Sequence, residues 1–136
     1  MKGCGPPTTL RITNGTLSAA GTDASRIAVT DQLDNTDGIL AAAGDITVKA
    51  GELVNRGGTM VASGDSALAV NVDGMLDNSA GGTLAAGGDM ALASGVLYNR
   101  KGTIQHTGSG ALTVATGDLA GAGGTLVSRG ALDLKA

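Results

Sequence analysis

Residues 33–50 read Leu-Asp-Asn-Thr-Asp-Gly-Ile-Leu-Ala-Ala-Ala-Gly-Asp-Ile-Thr-Val-Lys-Ala. Within this stretch Leu33 and Asn35 precede Gly38, Leu40 precedes Gly44 by four residues, and Ile46 and Val48 alternate with polar neighbours. Period-two alternation is the signature of a half-buried strand, whereas an amphipathic helix needs apolar residues three and four apart. Glycine interrupts the pattern every few residues, which disfavours a helix of useful length. A unit this short cannot bury its own apolar face, so it is stable only if copies of it stack.

Copies are present along almost the whole chain. The first glycine returns as Gly15, Gly38, Gly58, Gly81, Gly102 and Gly124, at spacings of 23, 20, 23, 21 and 22 residues. The second returns as Gly21, Gly44, Gly64, Gly88, Gly108 and Gly130, each four residues after Leu17, Leu40, Met60, Leu84, Ile104 or Leu126. Units open at Leu10, Leu33, Leu53, Leu76, Leu97 and Leu119, and the middle four carry Leu-x-Asn through Asn35, Asn55, Asn78 and Asn99. Ile12 and Gly121 stand at the asparagine position of the two end units. Terminal repeats have one neighbour only and are commonly atypical. The expected fold is therefore all-β, a parallel β-helix of about six coils of 20–23 residues over residues 10–136, with 1–9 as a linker or appended residues.

Stacking assigns a task to each column. Coils separated by about 4.8 Å place equivalent residues above one another, so six coils span roughly 25 to 30 Å. The two leucine-rich series become internal columns, each buried side chain contributing about 1.5 to 3 kcal/mol. Ala19, Ala42, Ala62, Ala86, His106 and Ser128 share the face of the second column and let the coil narrow. The four asparagines are expected to form an amide ladder, as stacked parallel strands allow. Both glycine sets are expected at corners, with the glycine three residues after each asparagine supplying a positive φ.

Composition supports a thin, repeated core. The chain has 24 glycines, one tyrosine, no tryptophan and no phenylalanine, yet 42% of its residues are hydrophobic. A formal net charge of −3 gives no reason to expect nucleic acid as a partner. No apolar run approaches the roughly 20 residues of a membrane-spanning helix. Met1–Pro7 lacks the apolar core of a secretory signal. Cys4 is the sole cysteine, so neither a disulfide nor a cysteine metal site can form, and it is read as an inert thiol.

The segment 33–50, with Leu-Asn-type signatures again at Leu76-Asp-Asn-Ser-Ala-Gly81 and Leu97-Tyr-Asn-Arg-Lys-Gly102, resembles the haemagglutinin repeat of filamentous haemagglutinins and contact-dependent growth inhibition effectors. The resemblance covers roughly residues 10–136 and draws its specificity from the array. It implies a right-handed parallel β-helix, exported through an outer-membrane two-partner transporter and displayed at the bacterial cell surface.

Few residues suggest chemistry. Asp45, Asp65 and Asp89 follow the second glycine in three units, Ser109 in the next. They could hold a cation as a column, but capping of each turn's own backbone N–H is preferred, because the Gly-Gly-x-Gly-x-Asp calcium pattern is absent. His106, the only histidine, falls in the alanine column with no nucleophile at the equivalent positions. Arg56, Arg100 and Lys101 occupy the loop after the asparagine, with Tyr98 beside the ladder; as a surface contact they could meet sulfated glycans, although Asp37 on the same face favours a mixed solvated surface. No catalytic residue, cofactor or metal site is assigned.

The functional expectation is thus a structural shaft segment of a secreted adhesin or haemagglutinin-like exoprotein, extending a distal region from the cell. The alternative is a binding module meeting a host glycan or receptor through its outer face. A β-helical polysaccharide-active enzyme is disfavoured by the lack of aromatic sugar platforms. Open strand edges at the coil ends invite end-to-end self-association.

Overall fold

The computed structural model describes residues 9–19, 21, 24–63, 65–108 and 110–135. Cys4, Gly64 and Ser109 lie outside these residues. The chain winds as a parallel β-helix. Its first coil is β1 (Thr9–Arg11), β2 (Thr16–Ala19) and β3 (Ser25–Ala28). The second is β4 (Gln32–Asp34), β5 (Ile39–Ala42) and β6 (Ile46–Ala50), and the third β7 (Glu52–Val54), β8 (Thr59–Ala62) and β9 (Leu68–Val72). The fourth comprises β10 (Met75–Asp77), β11 (Thr83–Ala86) and the first half of β12 (Met90–Tyr98). The second half of β12, then β13 (Thr103–His106) and the start of β14 (Ala111–Ala120), makes the fifth; the end of β14, β15 (Thr125–Ser128) and β16 (Ala131–Lys135) make the sixth. β1 begins at Thr9, one residue before the boundary expected from sequence.

Each coil therefore has three sides. One is the six-stranded sheet β2-β5-β8-β11-β13-β15; the other two merge into a ten-stranded sheet because β12 and β14 run through the corner between them. All pairings are parallel, and they align the expected columns residue for residue. Leu10 pairs with Leu33, Leu33 with Leu53, Leu53 with Leu76, Leu76 with Leu97 and Leu97 with Leu119. Leu17, Leu40, Met60, Leu84, Ile104 and Leu126 align likewise.

The core is a slender aliphatic filling contributed by all three sides. Leu33, Leu53, Leu76 and Leu97 are fully buried, as are Met60, Leu84, Leu68 and Leu112. Val48, Val70, Leu92 and Val114 stack as a further interior column on the third side. The end members of these columns, Leu17, Leu119, Leu132 and Leu134, are each more than a third exposed. Below the end coils there is no further rung among the described residues to cover them.

The corners correct the glycine reading in two ways. First, in five coils the left-handed residue is the one before the column glycine, namely Asn14, Asp37, Gly57, Lys101 and Gly123, with φ between 55° and 70°; in the fourth coil Ala80 (φ 57°) and Gly81 (φ 88°) are both left-handed, so the expected positive φ three residues after the asparagine is met only at Gly81. Gly38, Gly58 and Gly102 are required for a different reason. A Cβ on Gly58 would collide with the Asn35 carbonyl oxygen of the preceding coil and lie 2.8 Å from Asn55 Oδ1; a Cβ on Gly102 would collide with the Asn78 carbonyl oxygen. Glycine is demanded by close approach between coils, not by φ.

Second, the member of this column in the fourth coil is Gly82, not Gly81. Thr83 pairs with Thr59 and Thr103, so Gly82 is equivalent to Gly58 and Gly102, and its Cβ would meet the Asn55 carbonyl oxygen. Gly81 is an extra residue with φ 88° whose Cβ would have nothing within 4 Å. The second glycine set is also mixed: Cβ atoms on Gly88 and Gly108 would strike backbone carbonyls of the preceding coil, whereas Gly21 faces open space.

A third glycine corner was not anticipated. Gly51, Gly74, Gly95 and Gly117 follow one another up the stack, with Gly74 N–H donating to Gly51 and Gly95 N–H to Gly74 at 2.8 Å. Their recurrence at 23, 21 and 22 residues was a usable signal in the sequence.

Candidate functional site

Among the described residues, the turn between the asparagine ladder and the column glycine is where charged and aromatic groups converge. Its foundation is the ladder itself. Asn35 Nδ2 donates to Asn55 Oδ1 at 2.7 Å, Asn55 Nδ2 to Asn78 Oδ1 at 2.8 Å, and Asn78 Nδ2 to Asn99 Oδ1 at 2.9 Å. The second amide hydrogen is used too, going to the carbonyl of Thr59, Thr83, Thr103 or Thr125 in the next coil. All four amides are buried, so these bonds replace water completely.

The ladder is directional, and its ends follow from the sequence. Asn35 Oδ1 has no donor because the coil below offers Ile12 at the equivalent position, whose side chain carries no amide and whose backbone N–H goes to the Asp34 carbonyl. At the other end Asn99 faces Gly121. A Cβ at Gly121 would meet nothing within 4 Å, so Gly121→Asn should add a rung that accepts from Asn99 Nδ2. We expect it to stabilise the protein by about 1 kcal/mol in denaturant unfolding. No change, or a loss, would show that the ladder does not continue through this position.

Immediately outside the ladder, stacking brings together residues far apart in the chain. Backbone pairing places Arg56, Ser79 and Arg100 at one level of three successive coils, and Asp77 pairs with Tyr98. Arg56, Asp77, Ser79, Tyr98, Arg100 and Lys101 then line a shallow surface groove of about 350 Å³. Arg56 Nη1 leans toward Asp77 Oδ2 at 3.9 Å, while the Arg100 guanidinium lies over the Tyr98 ring, 5.6 Å from its centroid. Asp77 Oδ1 accepts from the Ser79 N–H at 3.0 Å, which fixes this largely buried carboxylate in the groove wall. The groove therefore gathers three cations against one acid. Asp37, expected on this surface, sits beside Gly57 one coil below Arg56 and is exposed.

The other groups singled out from sequence are not assembled into a site. Asp45 and Asp89 each accept a backbone N–H, but from Ala67 and Ala111 of the following coil at 2.9 Å rather than from their own turns. They tie adjacent coils together. Asp65 is out of line with them, because Ile46 pairs with Leu68 and the residue equivalent to Asp45 is Ala67. Among the described residues no three His, Cys, Asp or Glu side chains come together as a metal site. His106 is fully buried, its Nδ1 3.1 Å from Ser128 Oγ and its Nε2 without a partner. It thus occupies a place in the core and faces no substrate space. No described helix is present that could cross a membrane.

The family model described as haemagglutinin repeat matches residues 8–72 and again 65–136. No curated protein and no solved structure matches the chain.

Proposed function

Because the chain belongs to the haemagglutinin-repeat family, we propose that it is a structural shaft segment of a secreted, surface-displayed exoprotein of the filamentous haemagglutinin type, extending a distal binding or effector region from the cell. On this reading its partner during export is an outer-membrane two-partner transporter, and its role is non-enzymatic. The observation that supports the reading is the shared register of the six coils: interior columns run through the stack, and the middle four coils add an amide ladder and steric glycines, so a further repeat of this kind contributes length. A chain whose coils dock one on the next can also fold progressively as it emerges outside the cell.

Interchangeable coils have a direct consequence. Deleting residues 59–82 joins Gly58 to Thr83, the residue that already pairs with Thr59. The product should remain a folded rod, shorter by about 5 Å, the rise of one coil. Deleting residues 59–70 instead breaks register on every side and should abolish folding. Small-angle scattering gives the lengths and circular dichroism the fold. In a surface-displayed fusion, a tag placed beyond the last coil should stay accessible after the first deletion and disappear after the second. Loss of the tag in both would count against a shaft role, since a spacer tolerates removal of a whole spacer unit.

A further inference from the structure

We propose that the groove formed by Arg56, Asp77, Ser79, Tyr98, Arg100 and Lys101 binds an acidic polysaccharide, through uronate carboxylates, with the sugar chain lying along the β-helix axis. This goes beyond a spacer role and does not depend on it.

Charge supplies the first reason. Three cations surround a groove that contains one carboxylate, within a chain whose net charge is negative. Only one oxygen of that carboxylate is bonded within hydrogen-bond distance, and it is held by the Ser79 N–H. Arg56 is half exposed and 3.9 Å from the other oxygen, too far for a hydrogen bond. Its guanidinium fork is therefore available, and that fork matches a planar carboxylate in a bidentate pair.

Spacing supplies the second. Arg56 and Arg100 stand at one level of the third and fifth coils, with the short side chain of Ser79 between them. Two coil steps separate them by about 10 Å. That is the scale of one sugar pair in an extended polysaccharide, so two carboxylates of one chain can meet two arginines over a low floor. Lys101 adds a flexible charge beside Arg100.

The rest of the lining selects a sugar over an acidic peptide. Tyr98, partly exposed with Arg100 over its ring, offers an amphipathic edge to the C–H face of a pyranose.

The test uses oligogalacturonate as the probe in calorimetric titration at low and moderate salt. Binding should weaken with salt and fall about tenfold or more in R56Q/R100Q, which removes two charge-assisted pairs. Asp77→Asn keeps the acceptor for Ser79 N–H while deleting the one negative charge, and should tighten binding several-fold, about threefold to tenfold. Melting curves of R56Q/R100Q should match the parent, since the arginines are at the surface, and Asp77→Asn, which keeps the Ser79 N–H acceptor, should remain folded by circular dichroism. Absence of binding by the unmodified chain, undiminished binding by R56Q/R100Q, or equal binding of poly-glutamate or of carboxyl-reduced oligogalacturonate would each overturn the proposal. Equal competition by a sulfated galactan would overturn the carboxylate assignment. None of these outcomes bears on the coil-deletion experiment, so the two readings fail separately.

Discussion

Gly102→Ala should destabilise the protein by about 3 kcal/mol or more, the cost of forcing a methyl group into a packed site that cannot yield. The obstruction is the carbonyl oxygen of Asn78 in the coil below, with Asn99 Oδ1 at 2.6 Å on the other side. Neither can retreat. The Asn78 backbone is fixed by its N–H bond to the Tyr98 carbonyl at 2.7 Å, and Asn99 Oδ1 is the acceptor of the ladder bond from Asn78. Gly58→Ala should behave in the same way against Asn35. The matched control is Gly121→Ala, where the added methyl meets nothing and φ is not positive. Its effect should lie within about 0.5 kcal/mol of zero. Denaturant unfolding of the three variants decides the matter. Equal losses at Gly102 and Gly121 would mean that glycine serves chain flexibility here and not the contact between coils.

Asn55→Ala should cost about 3 to 5 kcal/mol, because it leaves buried groups unsatisfied on both sides. Asn78 Oδ1 would lose its only ladder donor in a site with no access to water. Asn35 Nδ2 would keep the Thr59 carbonyl but lose Asn55 Oδ1, and the Thr83 carbonyl would lose a donor. Asn35→Ala should cost distinctly less. It orphans Asn55 Oδ1, but it also removes Asn35 Oδ1, which already lacks a partner. The count of unsatisfied side-chain amide oxygens is then unchanged, the Thr59 carbonyl loses a donor as the Thr83 carbonyl does in the other variant, and no amide N–H is left unpaired. Similar losses for the two variants would show that the amides act by filling space alone.

Asn55→Asp refines this with pH. A carboxylate at this buried site can accept from Asn35 but cannot donate to Asn78 Oδ1. Burial favours its protonated form, whose O–H can donate, so the folded state holds the proton more tightly than the unfolded chain does. Relative to the parent, this variant should therefore gain stability as pH falls from higher values toward about 4, the value of an aspartate in the unfolded chain, with the gain fully present below that. A variant whose stability fell in acid as much as the parent's would contradict the placement of the ladder in the dry interior.

Much of this architecture is written in short local patterns. The two apolar columns can be read from Leu33, Leu53, Leu76, Leu97 and from Leu40, Met60, Leu84, Ile104, because a stacked coil needs one bulky aliphatic at each inward position. Leu-x-Asn marks the four residues whose amides stack. Gly81 shows where such reading loses its footing. The fourth coil has one extra residue in its turn, and with Gly81 and Gly82 adjacent, counting from Asn78 selects the wrong one. Only the pairing of Thr83 with Thr59 and Thr103 identifies Gly82 as the equivalent position. Asp65 is misplaced for a like reason, since Ser66 and Ala67 lengthen its corner before Leu68 resumes the strand. The groove is less legible still. Arg56 and Arg100 are 44 residues apart in sequence, and nothing local announces that Asp77 and Tyr98 will orient their guanidinium groups toward a common surface.

Taken alone, then, the order of residues determined the coil, its approximate length, its economy of small side chains and two of the inward columns, since strand alternation and repeat spacing are properties of neighbours along the chain. Tertiary structure alone decided which glycines are indispensable, which residues take the left-handed turn, which N–H each aspartate caps and which cations share a surface. Those outcomes depend on atoms of the adjacent coil about 4.8 Å away, a distance set by backbone pairing between segments some twenty residues apart, where one inserted residue is enough to change the partner.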